Sequence, residues 1–203
     1  QELAESGAKV LNAQAVEFAK ERGIAIYARA TAGGGETVIR KFPPRAPGRV
    51  VGIASETGLM LLEAEGRELP SLLAELDAHQ AGGKQLIVHG GGQAARASLV
   101  ISLQDLHDFP RLRERLAARF GAGLRLSLGL GAVSAIGAGI NARFENLRKT
   151  LGVLAELGVT ASAMSTSSFR ISLLLPEPVV PEAVRRLHSA LVRENQITLS
   201  PAD

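Results

Sequence analysis

The apolar positions of this chain switch between a spacing of two and a spacing of three to four, in an order that repeats. From Leu59 onward the pattern predicts strand, helix, strand, strand, helix, strand, and then the same again. The first pass runs roughly from Leu59 to Leu128 and the second from Gly131 to Ser200, a period of about 72 residues. In the first pass Leu59–Glu65 is a strand, Pro70 opens a helix with Leu72, Leu73 and Leu76 inward, and Ala81-Gly82-Gly83 ends it. Gln85–His89 and Ala97–Leu103 follow as strands around Gly90-Gly91-Gly92. Asp108 then caps a helix reaching Phe120, and Leu124–Leu128 closes the unit. In the second pass Ala132–Ile136 is a strand, and Phe144–Leu157 a helix with Leu147, Leu151 and Leu154 inward. Val159–Met164 and Phe169–Leu175 are strands turning at Ser165-Thr166-Ser167-Ser168. Pro181 opens a helix with Val184, Leu187, Leu191 and Val192, and Gln196–Leu199 is the last strand. The middle strands of each pass are adjacent in sequence, so they must form a hairpin. Each pass is therefore an antiparallel sheet with two helices on one face, an α+β arrangement. Two such units point to a binding module rather than a catalytic centre.

Ahead of the repeats, Val10, Leu11, Ala15, Phe18 and Ala19 mark an amphipathic helix over residues 8–22 that ends at Gly23. Ile24–Arg29 reads as a strand, Ala32–Gly35 as a loop, and Glu36–Arg40 as a short extended piece. Phe42–Gly48 carries Pro43, Pro44 and Pro47 and reads as a stiff connector. Val50–Ala54 is one more strand, followed by a turn at Glu56-Thr57-Gly58. One helix and one or two strands cannot bury both their faces, so the opening region reads as the tail of a larger α/β domain.

Composition narrows the function classes. The chain has 203 residues, 46% of them hydrophobic, enough for a packed core. Aromatics at 3% argue against a stacking platform for single-stranded nucleic acid. With no Cys there is neither a disulfide framework nor a thiolate metal site. No stretch is long and apolar enough to span a bilayer, so the expectation is a cytoplasmic protein with neither membrane nor nucleic-acid partners. The net charge is +3, with the densest basic group at Arg111, Arg113, Arg115 and Arg119; Leu112, Leu116 and Phe120 among them form an apolar stripe at helical spacing, so the arginines read as a solvated helix face. His79, His89, His107 and His188 lack metal-ligand spacing and read as ordinary positions.

Several segments resemble aspartate kinase. Gly7–Leu11 with Ala15-Val16-Glu17 and Gly23-Ile24 looks like the end of its catalytic domain, and Val51–Ala54 like the strand opening its regulatory region. Ser165-Thr166-Ser167 with Arg170-Ile171-Ser172 resembles the signature hairpin of its second ACT domain, and Ala183–His188 the helix after it. The resemblance implies tandem ferredoxin-like (βαββαβ) ACT domains preceded by a remnant of the kinase domain. The implied boundaries are 1–42 for the remnant, 43–49 for a linker, 50–129 for the first ACT-like domain and 130–203 for the second. In some members the strand before the first ACT unit joins the sheet of the second, so residues 50–54 could pack with either. The family transfers the ATP γ-phosphoryl group to the β-carboxylate of aspartate, the first step toward lysine, threonine and methionine, and end products inhibit it through the ACT pair. ATP and Mg would sit in the parent catalytic domain, upstream of Gln1. The implied cofactor content of this chain is none, and catalysis by the chain alone is not expected. The implied partners are an amino-acid effector (lysine or threonine foremost), a second copy joined through the ACT domains, and the kinase catalytic domain.

The implied effector-binding residues are Asn146, Leu147, Thr160, Ala161, Ser162, Ser165, Thr166 and Ser167. A ligand carboxylate wants the free N–H groups at a helix start, here Glu145–Leu147, and its ammonium wants carbonyls or a carboxylate. The first unit's counterpart is Glu68–Ser71 facing Gln85–His89. The chain departs from the family pattern at several points, and the missing acids among them weigh against an effector while the retained Ser165-Thr166-Ser167 favours one. Asn12-Ala13 replace His-Pro, Phe144-Glu145 replace Pro-Gly, and Ser162 and Ser168 stand where acids are usual; the first unit has no Asp-Lys-Pro-Gly loop. Glu145 would repel a carboxylate, and the Ser165–Ser168 hydroxyls equally suit a turn satisfying its own backbone. An ACT-like scaffold without effector binding is thus the alternative. A third reading comes from Gly137-Ala138-Gly139-Ile140-Asn141-Ala142, which fits the dinucleotide fingerprint G-x-G-x-x-G/A but would need a parallel crossover after Met164.

Overall fold

The computed structural model describes residues 13–29, 36–39, 48–104 and 106–193. Before the repeats come helix α1 (Ala13–Arg22) and an antiparallel pair, β1 (Ile26–Arg29) and β2 (Glu36–Ile39), with Ile26 opposite Ile39. Val16 and Ala19 are the buried side of α1, whereas Phe18, expected inward, is exposed. Residues 7–11, the 32–35 loop, residues 42–47 and the strand expected over 196–199 lie outside the described residues.

The described residues fall into two compact units. One is 57–131; the other joins residues up to Glu56 with those from Ala132 onward. Strands β3 (Gly52–Glu65) and β6 (Leu124–Ile136) each give one part to each unit. The turn expected at Glu56–Gly58 and the break expected between Leu128 and Ala132 are therefore both replaced by continuous strand. Gly58 and Gly129 adopt φ of +71° and +69° inside these strands. Only glycine takes that conformation freely, so the same residue that can make a turn can also be absorbed within a strand.

The 57–131 unit follows the predicted order: β3, α2 (Leu69–Ala78), β4 (Gly83–His89), β5 (Arg96–Ser102), α3 (Phe109–Phe120) and β6. In its sheet the strands lie β4-β5-β3-β6, the order of a ferredoxin-like unit. Pairing is antiparallel, with Leu59 opposite Ser102 and Glu65 opposite Arg96. Met60, Leu62 and Ala64 alternate onto the helix-covered face and join Leu72, Leu76, Leu99, Ile101, Leu112 and Leu116 in the core. Asp108 caps α3 as predicted, its side chain accepting from the Arg111 amide at 3.3 Å.

Two expectations fail on these helices. Leu73 is 37% exposed, and the buried position beside Leu72 and Leu76 is Glu75, at 3%. Its carboxylate accepts from Arg115 Nε at 2.5 Å and from Arg119 Nη1 at 2.9 Å. The basic face of α3 is thus partly an anchor for α2 and not merely solvated. Hydrogen bonds from Arg115 and then Arg119 hold the Glu75 carboxyl below the ordinary carboxylate range against the opposing effect of desolvation.

In the other unit the strand order is β3-β6-β8-β7, with β7 at Ala163–Thr166 and β8 at Arg170–Pro176. Helix α4 (Glu145–Glu156) lies between β6 and β7, and α5 (Val180–His188) follows β8, continuing as a wider π turn over Ser189–Arg193. The place beside β6 that a closing strand would take is filled by the start of β3. Val50 is in the core of this unit with Val133, Ala135, Ile171, Leu173, Leu175 and Leu187, and Ile53 packs on it. Residues 50–54 therefore side with the second repeat. On α4 Leu154 is buried, but Leu151 is 44% exposed; Asn146, Thr150 and Val153 form the rest of the inward stripe. The buried polar residues were hidden by reading leucine as the only marker of the inner face.

Candidate functional site

The implied effector residues all lie in the second unit, around the start of α4 and the β7–β8 hairpin. β7 and β8 run antiparallel, with Ala163 opposite Leu174, Met164 opposite Leu173, Ser165 opposite Ser172 and Thr166 opposite Ile171. The Ser167 amide donates to the Arg170 carbonyl at 2.8 Å, so the reversal is at Ser168-Phe169. The turn expected over Ser165–Ser168 therefore starts later, because Ser165 and Thr166 are strand residues. This reversal also removes the dinucleotide reading, which required a crossover to a parallel strand after Met164. Gly137 has a different reason for being glycine: a Cβ there would land on the Arg49 carbonyl, within 2.9 Å of its carbon.

Strand alternation separates two of the candidate hydroxyls. Thr166 faces Ile171 and Met164 faces Leu173, both core residues, so this pair lies on the helix side of the sheet. Ser165 lies on the opposite side with Ser172, whose Oγ is 2.6 Å from that of buried Ser134. Ser165 thus extends a hydroxyl row on one face, while Thr166 is the residue sharing a face with α4. Ser167 Oγ accepts from the Phe169 amide at 3.2 Å, a local turn bond.

The loop before α4 is tied down at both ends by asparagines. Asn141 donates through Nδ2 to the Ser167 carbonyl and, at 3.3 Å, to the Arg170 carbonyl. Asn146 donates through Nδ2 to Gly48 O at 2.8 Å and to Ile140 O at 2.9 Å. Its two amide hydrogens are consumed, so the donors that Asn146 and half-buried Leu147 can offer a ligand carboxylate are their backbone amides. The helix has Phe144 as its N-cap with no side-chain capping bond, which leaves the first-turn amides uncovered by a cap. Glu145 is exposed at this end, with Lys149 Nζ 3.4 Å from its carboxylate. Thr160 and Ser162 are exposed; Ala161 packs on the core, and the Ser162 amide donates to Leu174 O at 2.8 Å. The contacts thus join Ser167 to the loop before α4, while Ser162 is held by β8. Asn141 was not among the sequence candidates, although an Asn between a strand and a helix is a common turn-binding residue. The chemistry on offer is hydrogen bonding by amides and hydroxyls, suited to holding a small polar solute.

No family model matches the chain. A curated aspartokinase from Bacillus sp. (strain MGA3) is 30% identical over 200 residues, and one from Geobacillus stearothermophilus 28% over 196, each match covering 93% of this chain. The chain is similar to aspartokinases. It spans about half, 48%, of the length of these relatives. Among solved structures, Clostridium acetobutylicum aspartate kinase superposes with a TM-score of 0.76 at 18% identity, over 94% of this chain and 46% of that one. E. coli aspartokinase III in complex with lysine and aspartate gives 0.67 at 20% identity, over 94% and 45%. The ligand-free regulatory subunit of Thermus thermophilus aspartate kinase gives 0.58 at 20% identity, over 70% of this chain and 97% of that one. The fold is therefore α+β with ferredoxin-like units, as in aspartokinase regulatory domains. Among the described residues no helix is long and apolar enough to cross a membrane.

Proposed function

We propose that this chain is the regulatory, amino-acid-sensing and dimerising part of a cytoplasmic aspartate kinase. The parent enzyme would phosphorylate aspartate with ATP and Mg, held by its catalytic domain, and the residues before the repeats would be the tail of that domain. The observation that carries this reading is the likeness to a regulatory subunit over 97% of its length. The effector would be lysine or threonine; the lysine-bound E. coli relative supports the first. Its carboxylate would meet the backbone amides at Asn146 and Leu147, with Thr160, Ala161, Ser162, Thr166 and Ser167 around it, and Ser165 acting from the other face of β7. Binding would regulate the kinase only through unequal affinity for its active and inactive states.

A second reading, an ACT-like assembly scaffold without an effector, is favoured by one observation: the Asn146 side chain is committed to Gly48 and Ile140. Titration calorimetry of this chain with lysine, threonine and methionine separates the two. The sensing reading expects saturable heat with one of them and a rise in melting temperature. A folded dimer that binds none of the three leaves assembly as the role.

A further inference from the structure

The 57–131 unit carries a charged cavity that the effector reading does not use. Register places it. Glu63 stands opposite Ser98, and Glu65 opposite Arg96, which in turn faces His89 at the end of β4. These residues alternate with Leu62, Ala64 and Leu99, which face the helix-covered core. They therefore share the other face of the sheet. A cavity of about 330 Å³ opens there, lined by Glu63, His89, Arg96, Ser98, Gly123 and Arg125 among others. That volume is at the small end of ligand sites and suits a metabolite-sized solute.

The two guanidiniums that line this cavity are only loosely matched by neighbouring carboxylates. Arg125 Nε is 3.6 Å from Glu63, and Arg96 Nη1 is 3.4 Å from Glu65. Tight charge-assisted pairs sit at about 2.7–2.9 Å. Each guanidinium has five N–H donors, so both keep donors for another acceptor. Their side chains are 58% and 78% exposed, and that of Glu63 39%, so a solute can reach all three. Glu65 does not line the cavity and its other oxygen is held by Arg67 Nη2 at 2.7 Å, so the wall itself carries two guanidiniums and one carboxylate, the complement of a molecule with two carboxylates and one ammonium. We infer that this cavity binds an acidic α-amino acid, its carboxylates on Arg96 and Arg125 and its ammonium on Glu63. Ser98 supplies a hydroxyl between them. The inference stands apart from the effector site, which lies in the other unit and would take a ligand with one carboxylate at a helix start.

The experiment is an amide NMR titration of the whole chain with L-glutamate, L-aspartate and succinate, which has the carboxylates without the ammonium. Saturable shifts at Arg96, Ser98 and Gly123 are expected with the amino acids. Arg96→Gln and Arg125→Gln should each weaken binding roughly tenfold or more. Succinate should bind more weakly than glutamate, and Glu63→Gln should abolish that difference. No saturable shift by about 10 mM, or shifts unaltered in both arginine variants, overturns the site. Succinate binding as tightly as glutamate overturns its assignment to an amino acid. Lysine titrated in parallel reports on Asn146 and Leu147, so failure of the effector reading is seen separately.

Discussion

Asn146 and Gly48 are 98 positions apart, and the Asn146 amide donates to the Gly48 carbonyl at 2.8 Å. The same nitrogen reaches Ile140 O at 2.9 Å, and Asn146 is 8% exposed. Both partners are acceptors, so the NH₂ group is the end that must face them. This one side chain joins the segment entering the second unit to the loop before α4. It also explains why a polar residue sits on the inner stripe of a helix.

Asn146→Val keeps the volume roughly constant and removes both bonds. Two carbonyls would be left short of a donor, at a cost of about 1–3 kcal/mol each if water does not replace it. Chemical denaturation should show a lower midpoint with little change in slope. Asn146→Asp puts a carboxylate against the same carbonyls and should be worse than Val at neutral pH. Equal stability of Val and wild type would mean the bonds contribute nothing.

The repeat, the helices and both hairpins were legible because their cores are built from Leu, Ile and Val at regular spacing. What the sequence hid were positions where a polar residue is buried by pairing. Glu75 looked like a surface residue until Arg115 and Arg119 were brought to it from α3. Thr150 is buried at 1% because its hydroxyl bonds back to the Asn146 carbonyl at 2.8 Å. Ser165 and Thr166 were legible as a motif, but a turn expected to begin at Ser165 gives neither residue a face of the sheet, and only the longer strand β7 does.

The two leucines of α4 test this directly. Leu154→Ala empties a buried position and should cost about 2–5 kcal/mol. Leu151→Ala, at a position 44% exposed, should cost well under half of that. A reversed order would restore the inward stripe read from leucine spacing alone.

Glu75 gives the stability a pH dependence of known sign. Its folded pKa is lowered from 4.5, first by the hydrogen bond from Arg115, then by that from Arg119. The clamp's contribution is therefore fully present above the unfolded value and is lost as pH falls through the folded one. Glu182 is shifted the same way by Arg186 and Arg185, so the quantity to compare is wild type against Glu75→Gln. The melting temperatures should differ most at neutral pH, with the variant lower, and converge as pH falls through the lowered pKa of Glu75. Parallel curves across that range would remove Glu75 from the acid response.

Gly137 and Gly152 make a paired test of backbone space. A Cβ on Gly137 collides with Arg49 backbone, whereas one on Gly152, inside α4, meets nothing within 4 Å. Gly137→Ala should cost about 3 kcal/mol or more, since backbone on both sides must move. Gly152→Ala should instead gain roughly 0.5–1 kcal/mol through helix propensity. Thermal melts of the two variants, read together, separate a general glycine effect from this local approach.

The proposed dimer needs a surface that a second copy can cover. β4 ends the strand order of the 57–131 unit, and Leu86 and Val88 on it are 45% and 51% exposed. They alternate with Ile87 and share one face of the strand. An edge strand that carries apolar side chains is a template for pairing, and lysine is the residue that blocks it. Val88→Lys points into solvent in the isolated unit, so the fold should be kept. Sedimentation velocity should then show the dimer of the wild-type chain shifting toward monomer, by tenfold or more in dissociation constant if one desolvated lysine costs roughly 1.4 kcal/mol or more. A dimer equally stable in Val88→Lys would place the self-association on another face.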